Sequence, residues 1–369
     1  IAEHFGLPGV LGVLLGGVLL GPAVLGLLNP EGKAIELFAE LGKLLLMFFA
    51  GYEINLSQLR RSGVRAAIFG VLTCSLPLAL GFGVGRAFGY STNASVLIGS
   101  LLASHTLLGL PIVRQLGLLD SDVVVMTIVA TIITDITAML ILAVTLSVHT
   151  AGFSAAHMVT TLVGIGIYVP TVVFGLSSLT RFIDRRTPLV ELRLGVMIAM
   201  IAIAASLAQA IELEGIVGAF LTGIAVKRAV GENRVTESLR MISDALFIPV
   251  FFLATGFLVD FKVLAETLLQ HASLVAGIVG GLVLAKYFAA RAAGVLFRVE
   301  RGEVWLMWSL TLPQVAATLA AATVAYRAAS PSGSTLIDEK MLNTVVVLVI
   351  ATSILGPVLT RHFGARVSR

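Results

Sequence analysis

Long apolar stretches follow one another along this 369-residue chain, and they constrain its fold more than any other feature. The hydrocarbon core of a bilayer requires roughly 20 consecutive apolar residues for each spanning helix. Charged residues make up only 12% of the chain and lie mostly in the short loops between the stretches. The twelve stretches cover residues 8–28, 34–52, 64–89, 94–115, 122–147, 155–180, 190–211, 214–230, 242–259, 270–297, 302–327 and 338–360. The sequence therefore predicts an all-α polytopic membrane protein.

Basic residues are distributed unequally between the two sides of the predicted membrane. If the first stretch starts in the cytoplasm, seventeen Lys and Arg residues fall on the cytoplasmic side and five on the other. Cytoplasmic loops of membrane proteins carry such an excess of basic residues. The bias predicts a cytoplasmic C-terminus, and it accounts for the net charge of +4 without a nucleic-acid partner.

The sequence lacks several motifs of soluble enzymes. It contains no Walker phosphate-binding loop, no HExxH zinc motif and no GxSxG nucleophile turn. The single cysteine, Cys74, lies in an apolar stretch, which excludes an internal disulfide and a cysteine-rich metal cluster. We therefore expect that the chain is not an enzyme and needs no cofactor.

The two halves of the chain resemble each other in three places, about 202 to 206 residues apart. In the first match, LPGVLGVLLGG parallels LEGIVGAFLTG; in the second, FFAGYEINL parallels FFLATGFLVDF; in the third, LLGLPIV parallels SLTLPQV. The matched ranges are Leu7–Gly17 with Leu213–Gly223, Phe48–Leu56 with Phe251–Phe261, and Leu107–Val113 with Ser309–Val315. Each pair is separated by seven predicted crossings. Because that number is odd, the second copy is inverted, as in many secondary transporters.

The repeat divides the chain into three regions within a single transmembrane domain. Residues 1–147 form the first repeat, 148–189 a linker helix and 190–369 the second repeat. The stretch at 190–211 has no counterpart in the first half, so we expect one more helix before Ile1.

Two predicted helices contain a proline near their centre, at matched positions of the repeat. Proline removes an amide donor and disrupts the preceding turn, which the membrane tolerates only where protein or a water-filled cavity satisfies the backbone. The polar and small residues beside these prolines predict two broken helices that meet. The candidate residues are Ser104, Thr106, Gly109 and Pro111 in the first helix, and Thr311, Pro313 and Gln314 in the second.

Asp135 lies near the centre of the stretch at 122–147. A charge at that depth costs about 2.5 kcal/mol or more, so an acidic residue there indicates a proton or ion site. Thr131 and Thr134 add hydroxyl oxygens on neighbouring turns, and hard cations prefer oxygen ligands. We expect a monovalent cation and a proton to compete for Asp135, with Thr131, Thr134, Thr106 and Ser104 as further ligands.

Lys286 and His105 allow more than one interpretation. Lys286, near the middle of the stretch at 270–297, is the natural partner if Asp135 is a permanently paired structural charge. Alternatively, Lys286 carries a second proton, or it is a fixed positive charge that holds the core when no cation is bound. A single histidine in a helix rich in Gly and Leu favours a structural role for His105.

Several long motifs resemble those of the bacterial monovalent cation/proton antiporters, the family that includes sodium/proton exchangers and potassium efflux antiporters. The likeness extends over nearly the whole chain. It is closest at Gly6–Gly26, Leu41–Gly63, Ile216–Ile224 and Phe251–Asp260.

The resemblance implies an inverted-repeat fold with two crossing discontinuous helices. Asp135 occupies the position of the family's ion-carrying aspartate, and Lys286 corresponds to a basic residue of the core helix in related exchangers. The resemblance further implies an elevator-like core, about 64–147 and 270–360, which slides against a scaffold of the remaining helices. That scaffold would also form a homodimer in the bacterial inner membrane, with a role in pH homeostasis.

Two departures from the family pattern bear on these expectations. Electrogenic sodium exchangers have a second aspartate before the first, whereas this chain has Thr134, so we expect electroneutral exchange of one Na⁺ or K⁺ for one H⁺. The sequence LTLPQVAAT replaces the charged stretch that is usual in the second broken helix. Cytoplasmic regulatory domains, common in the family, are not among these residues.

Two alternatives remain open from the sequence. Related inverted-repeat folds include sodium-coupled symporters of small anions, but the predicted crossing region has few anion-binding donors. The second alternative is a membrane sensor that kept the fold and lost exchange, which would require Asp135 to stay locked to Lys286.

Overall fold

The structure is a computed structural model, which describes residues 9–22, 24–28, 32–53, 56–150, 155–187, 189–211, 213, 215–231, 234–257, 261–328 and 334–368. The expected helix before Ile1 and residues 1–8 lie outside the described residues. The described residues form seventeen α-helices: α1 (Gly9–Leu20), α2 (Lys33–Glu53), α3 (Leu56–Ala87), α4 (Thr92–Ala103), α5 (Leu110–Gln115), α6 (Asp122–Thr150), α7 (Ala155–Pro170), α8 (Leu176–Arg186), α9 (Val190–Ala210), α10 (Gly215–Val230), α11 (Arg234–Ile242), α12 (Ile248–Gly256), α13 (Phe261–Gln270), α14 (Ala272–Phe297), α15 (Arg301–Leu310), α16 (Ala316–Arg327) and α17 (Glu339–Val367).

The helices follow the apolar stretches of the sequence, which confirms the all-helical membrane fold. Seven continuous helical segments among the described residues are long and apolar enough to cross a membrane. Single π-helical turns join α7 to α8 at Thr171–Gly175 and α11 to α12 at Ser243–Phe247.

Several details differ from the sequence-based expectation, and one is that α3 begins at Leu56 rather than at residue 64. The first stretch was expected to be helical to residue 28, but α1 ends at Leu20 because Pro22 cannot continue a helix and Gly26 turns the chain with a positive φ of 61°. The stretch expected to begin at 242 is already helical from Arg234. Helix α13 was not expected because it is short and carries Lys262 and Glu266 among its apolar residues.

The chain separates into two compact units. The first unit contains Ile1–Gly12, Ser57–Ser154 and Phe257–Arg369, and the second contains Val13–Leu56 and Ala155–Gly256. The boundaries of the repeats, the core and the scaffold that the sequence suggested stay predictions.

The first unit is built around apolar side chains of α4, α14, α16 and α17, with Leu97, Ile278 and Leu348 fully or almost fully buried. Asp338 caps the start of α17 by accepting a hydrogen bond from the Met341 amide at 2.9 Å, which satisfies one of the free donors of the first turn. The same carboxylate accepts a 2.7 Å hydrogen bond from the Tyr90 hydroxyl. Burial, together with this contact, raises the pKa of Tyr90 above its ordinary value.

In the second unit, helices from the two repeats approach each other through glycine. A Cβ added at Gly17 on α1 would lie 2.0 Å from the Leu253 carbonyl oxygen on α12. A Cβ added at Gly223 on α10 would lie 2.1 Å from the Phe48 carbonyl oxygen on α2. Gly17 and Gly223 are matched in the repeat, so the matched helix of each copy makes a comparable close backbone contact. Small residues permit this approach between membrane helices.

Alanine at either glycine should therefore separate the paired helices. We expect Gly17→Ala and Gly223→Ala each to destabilise the protein by about 1–3 kcal/mol through overpacking. Gly16→Ala is the matched control, because no atom lies within 4 Å of a Cβ at that position. Thermal unfolding in detergent measures the effect. Equal unfolding temperatures for Gly17→Ala and Gly16→Ala would show that the contact is not tight.

Candidate functional site

Two helices of the first unit are interrupted where the sequence predicted it. Helix α4 ends at Ala103 and α5 begins at Leu110, with a non-helical segment between them. Helix α15 ends at Leu310 and α16 begins at Ala316, again with a non-helical segment between them. The prediction of two broken helices is therefore confirmed.

The two interrupted segments contact each other directly. The Thr106 amide donates a hydrogen bond to the Pro313 carbonyl at 2.8 Å. The side-chain amide of Gln314 donates to the Ser104 carbonyl. These bonds satisfy backbone groups that a helix end would otherwise leave unpaired in the membrane. The segments thus cross, and Ser104, Thr106, Pro313 and Gln314 all lie at the crossing.

Gln314 is held in place by three further hydrogen bonds. Its backbone amide donates to Thr352 Oγ1 at 3.0 Å, and its carbonyl accepts from Ser353 Oγ at 3.1 Å. Its side-chain oxygen accepts from the Thr318 hydroxyl. Gln314 is fully buried, and these bonds to α16 and α17 hold its side chain toward Ser104.

The other predicted crossing residues shape the helix ends. A Cβ at Gly109 would lie 2.8 Å from Thr360 Oγ1, so the first segment needs a small residue there. Pro111 lies in the first turn of α5, where its missing amide donor costs nothing. Thr311 ends α15, and its hydroxyl donates to the Trp308 carbonyl at 2.9 Å.

Asp135 lies on α6 beside the first interrupted segment. Its side chain is 4% exposed, and Oδ1 accepts a 2.7 Å hydrogen bond from the Ser104 hydroxyl. Ser104 directly follows the last residue of α4, in an extended conformation, and its hydroxyl reaches Asp135 from the point where the helix stops. The structure therefore brings together two of the predicted site residues.

Thr131 and Thr134 are directed toward His105. Thr131 Oγ1 lies 2.9 Å from His105 Nε2, and Thr134 Oγ1 lies 3.3 Å from Nδ1 of the same ring. Both hydroxyls also donate to helix carbonyls, of Thr127 and Thr131 respectively. The expected structural role of His105 agrees with these contacts, since the ring is buried and hydrogen-bonded.

Lys286 on α14 extends its ammonium group to the end of α4. Nζ donates to the Ala103 carbonyl at 2.6 Å and to the Thr73 carbonyl at 3.0 Å, and it lies 3.4 Å from His105 Nδ1. An ammonium group has three donors, and these three acceptors match them. Ala103 is the last residue of α4, so the positive charge lies at the negative end of a helix dipole.

The same contacts indicate which nitrogen of His105 carries the proton. Because the Thr131 hydroxyl donates to the Thr127 carbonyl, its lone pairs are available to accept from Nε2–H. Nδ1 is then the acceptor that faces the Lys286 ammonium. The assignment follows from the hydrogen-bond network and gives a neutral imidazole.

Sequence reasoning missed two contributors to this site. Thr73 supplies a carbonyl to Lys286 from a position 213 residues away in the chain, and no local pattern marks it. Thr352 orients Gln314 and lies in an apolar helix without any motif. The role of Asp135 and the ligand set predicted around it stay predictions.

Comparison with known proteins places these features in a family. The profile described as "Sodium/hydrogen exchanger, transmembrane" matches residues 1–363. The Na⁺/H⁺ antiporter NhaS5 of Synechocystis is 43% identical over all of this chain, which spans 53% of that relative's length. A Na⁺/H⁺ antiporter of Enterococcus hirae is 27% identical over the whole chain and 94% of its own length. The Na⁺/H⁺-K⁺ antiporter GerN of Bacillus cereus is 26% identical over 99% of this chain and 92% of its own length.

The fold agrees with a solved structure as well. The sodium proton antiporter MjNhaP1 of Methanocaldococcus jannaschii superposes with a TM-score of 0.73 over all of this chain and 94% of that chain, at 15% sequence identity. The inverted-repeat fold with crossing discontinuous helices is therefore the fold of this chain. On the extent of the profile match and the identity to NhaS5, the chain belongs to the transmembrane sodium/hydrogen exchanger family.

Proposed function

We propose that this chain exchanges Na⁺ or K⁺ for H⁺ across a membrane by alternating access, with cation and proton competing for Asp135. The observation that carries the proposal is the hydrogen bond from Ser104 to Asp135, 2.7 Å long. It joins a buried carboxylate to the unwound end of a broken helix, at the point where two interrupted segments cross. The chain spans about half the length of NhaS5, so the proposal concerns the activity of this part.

Chemistry favours a hard monovalent cation as the ligand of Asp135. A buried carboxylate needs a positive partner, which either a bound proton or a metal ion can supply. The oxygens near it belong to Ser104, Thr131, Thr134 and Thr106, and oxygen is the preferred ligand of hard cations. When a cation enters, the Ser104 hydroxyl would turn its proton away from Asp135 and offer its oxygen instead.

Lys286 acts in this proposal as a fixed positive charge. Its ammonium group is bonded to two carbonyls and directed at His105, at the C-terminal end of α4. Such a charge stabilises the half-helix whether or not the ion site is filled. The transported proton is then carried by Asp135 alone, and the residue before it, Thr134, has no charge. One carboxylate supports electroneutral one-for-one exchange.

The relatives support both candidate cations. NhaS5 is named for sodium and proton exchange, and GerN for sodium, potassium and proton exchange. Neither the anion symporter nor the sensor is supported by these names, and we do not propose them further. No cofactor or enzymatic step is part of the proposal.

The proposed transport cycle uses the core and the scaffold that the sequence suggested. The core, about 64–147 and 270–360, would carry the site, and the remaining helices would form a scaffold and a homodimer. The protein is integral to the membrane. We propose that it lies in the bacterial inner membrane with a cytoplasmic C-terminus. We further propose a role in pH homeostasis and a cytoplasmic regulatory domain as a partner.

Removal of the carboxylate tests the central claim. We expect Asp135→Asn to reduce exchange at least tenfold, because an amide cannot exchange a proton for a cation. The measurement is exchange in proteoliposomes with a pH-sensitive dye, after addition of Na⁺, K⁺, Li⁺ or choline. Asp120→Asn, at an exposed turn before α6, is the matched control and should exchange normally. Normal exchange by a folded Asp135→Asn protein would refute the proposal.

The hydroxyl of Ser104 provides a second test. We expect Ser104→Ala to raise the half-saturating cation concentration about three- to tenfold, a free-energy change near 1 kcal/mol, with a smaller effect on the maximal rate. Ser100→Ala is the control, because that buried hydroxyl donates only to the Leu97 carbonyl of its own helix. Titration of exchange against cation concentration measures both. A similar shift in the two variants would mean that Ser104 has no special contact with the ion.

Lys286 should affect stability more than transport. We expect Lys286→Met to lower the free energy of unfolding by ~3–5 kcal/mol, because the Ala103 and Thr73 carbonyls lose their buried donor. In thermal unfolding this is roughly 5 °C or more. Lys340→Met is the control, because this lysine is only half-buried and its ammonium contacts no buried carbonyl of the described residues but lies 5.9 Å from the centre of the Phe88 ring. Loss of exchange without any loss of thermal stability would instead assign Lys286 to proton transport.

A further inference from the structure

A groove runs along the surface of the first unit between α3 and α14. Leu72 and Leu76 line it from α3, and Phe288, Ala292 and Val295 line it from α14. The groove has a volume of ≈ 640 Å³ and is shallow, since most of it is open to the surroundings. Val295 and Phe288 are more than half exposed, so these apolar side chains face outward rather than into the core of the unit.

Arg291 is the charged residue of this apolar lining. Its side chain is exposed, and its guanidinium makes no hydrogen bond or ion pair with any described residue. Helix α14 has 26 residues, or about 39 Å, which exceeds a hydrocarbon core of about 30 Å. Arg291 lies seven residues before Arg298, which caps the C-terminal end of α14. If the helix is centred in the membrane, the Arg291 Cα lies about 5 Å inside the boundary of the hydrocarbon core.

An arginine at that depth extends its guanidinium toward the headgroup layer, because an uncompensated charge in hydrocarbon is costly. The same end of the groove carries a second cation. Arg65 on α3 lies over the Phe297 ring, 5.9 Å from its centroid, so the ends of α3 and α14 meet there. Arg65, Leu72 and Leu76 are spaced seven and four residues apart and therefore share one face of α3. Two positive charges thus flank the polar end of an apolar groove.

We propose that this groove binds an anionic phospholipid, with its phosphate at Arg291 and an acyl chain along the apolar walls. The charge of Arg65 favours a headgroup with net negative charge over a zwitterionic one. Clustered basic residues at the cytoplasmic surface attract anionic lipids in this way. The site lies on a different face of α14 from Lys286, which is fully buried, and takes no part in the proposed exchange.

Native mass spectrometry of the protein in detergent tests the proposal. The protein is incubated with phosphatidylglycerol, with phosphatidylcholine of the same acyl chains, or with phosphatidylglycerol plus inorganic phosphate. We expect retention of phosphatidylglycerol by the wild type, and at least fivefold less by Arg291→Gln. The control is Arg366→Gln, an exposed arginine near the end of α17, which should bind as the wild type does.

A second variant, Leu72→Trp, keeps both arginines and fills the groove, and it should also lose at least half of the bound lipid. Equal retention by Arg291→Gln and the wild type would overturn the proposal. So would equal retention of phosphatidylcholine, or displacement of the lipid by inorganic phosphate, which would indicate a site for a free anion. Because binding is measured without transport, the result is independent of whether Asp135 exchanges ions.

Discussion

Hydrocarbon provides no water to hydrogen-bond a broken helix, and the first unit depends on how it meets this constraint. Each interrupted segment satisfies a backbone group of the other. The Thr106 amide donates a hydrogen bond to the Pro313 carbonyl, and the Gln314 side-chain amide donates one to the Ser104 carbonyl. Lys286 satisfies the end of α4 with a charged donor. These contacts satisfy the backbone where α4 stops, and the Ser104 hydroxyl beside that end donates to Asp135.

Features with a local cause could be predicted from the sequence. Pro111 and Pro313 disrupt helices wherever they occur, and Asp135 stands out because any charge in an apolar stretch does. Because the two prolines occupy matched positions of the repeat, the sequence predicted two broken helices that cross rather than two unrelated kinks. The partners of Lys286 could not be predicted in the same way, because Ala103 and Thr73 lie 183 and 213 residues away and contribute only their backbone carbonyls. Every residue has a backbone carbonyl, so the sequence does not show which two carbonyls accept from Lys286.

The contacts of His105 change how the oxygens near Asp135 are understood. The sequence predicts Thr131 and Thr134 as ligands because they lie one turn and one residue before Asp135. In the structure both hydroxyls already donate to helix carbonyls and turn toward the imidazole. To coordinate a cation, Thr131 would have to give up the hydrogen bond from His105 Nε2–H, whereas Thr134 Oγ1 only lies beside Nδ1, which accepts from Lys286. The Ser104 hydroxyl, at the unwound end of α4, can reorient without disturbing a helix.

The charges of Asp135 and Lys286 determine the stoichiometry of the proposed exchange. In the proposed exchange Asp135 would be neutralised once, either by a proton or by a monovalent cation, and Lys286 would keep the same charge in both cases. The two loaded forms of the site therefore carry equal net charge. Movement of either form across the membrane would do the same work against the potential, so a full cycle would move no net charge. A second carboxylate at position 134 would break this equality, and the chain has threonine there.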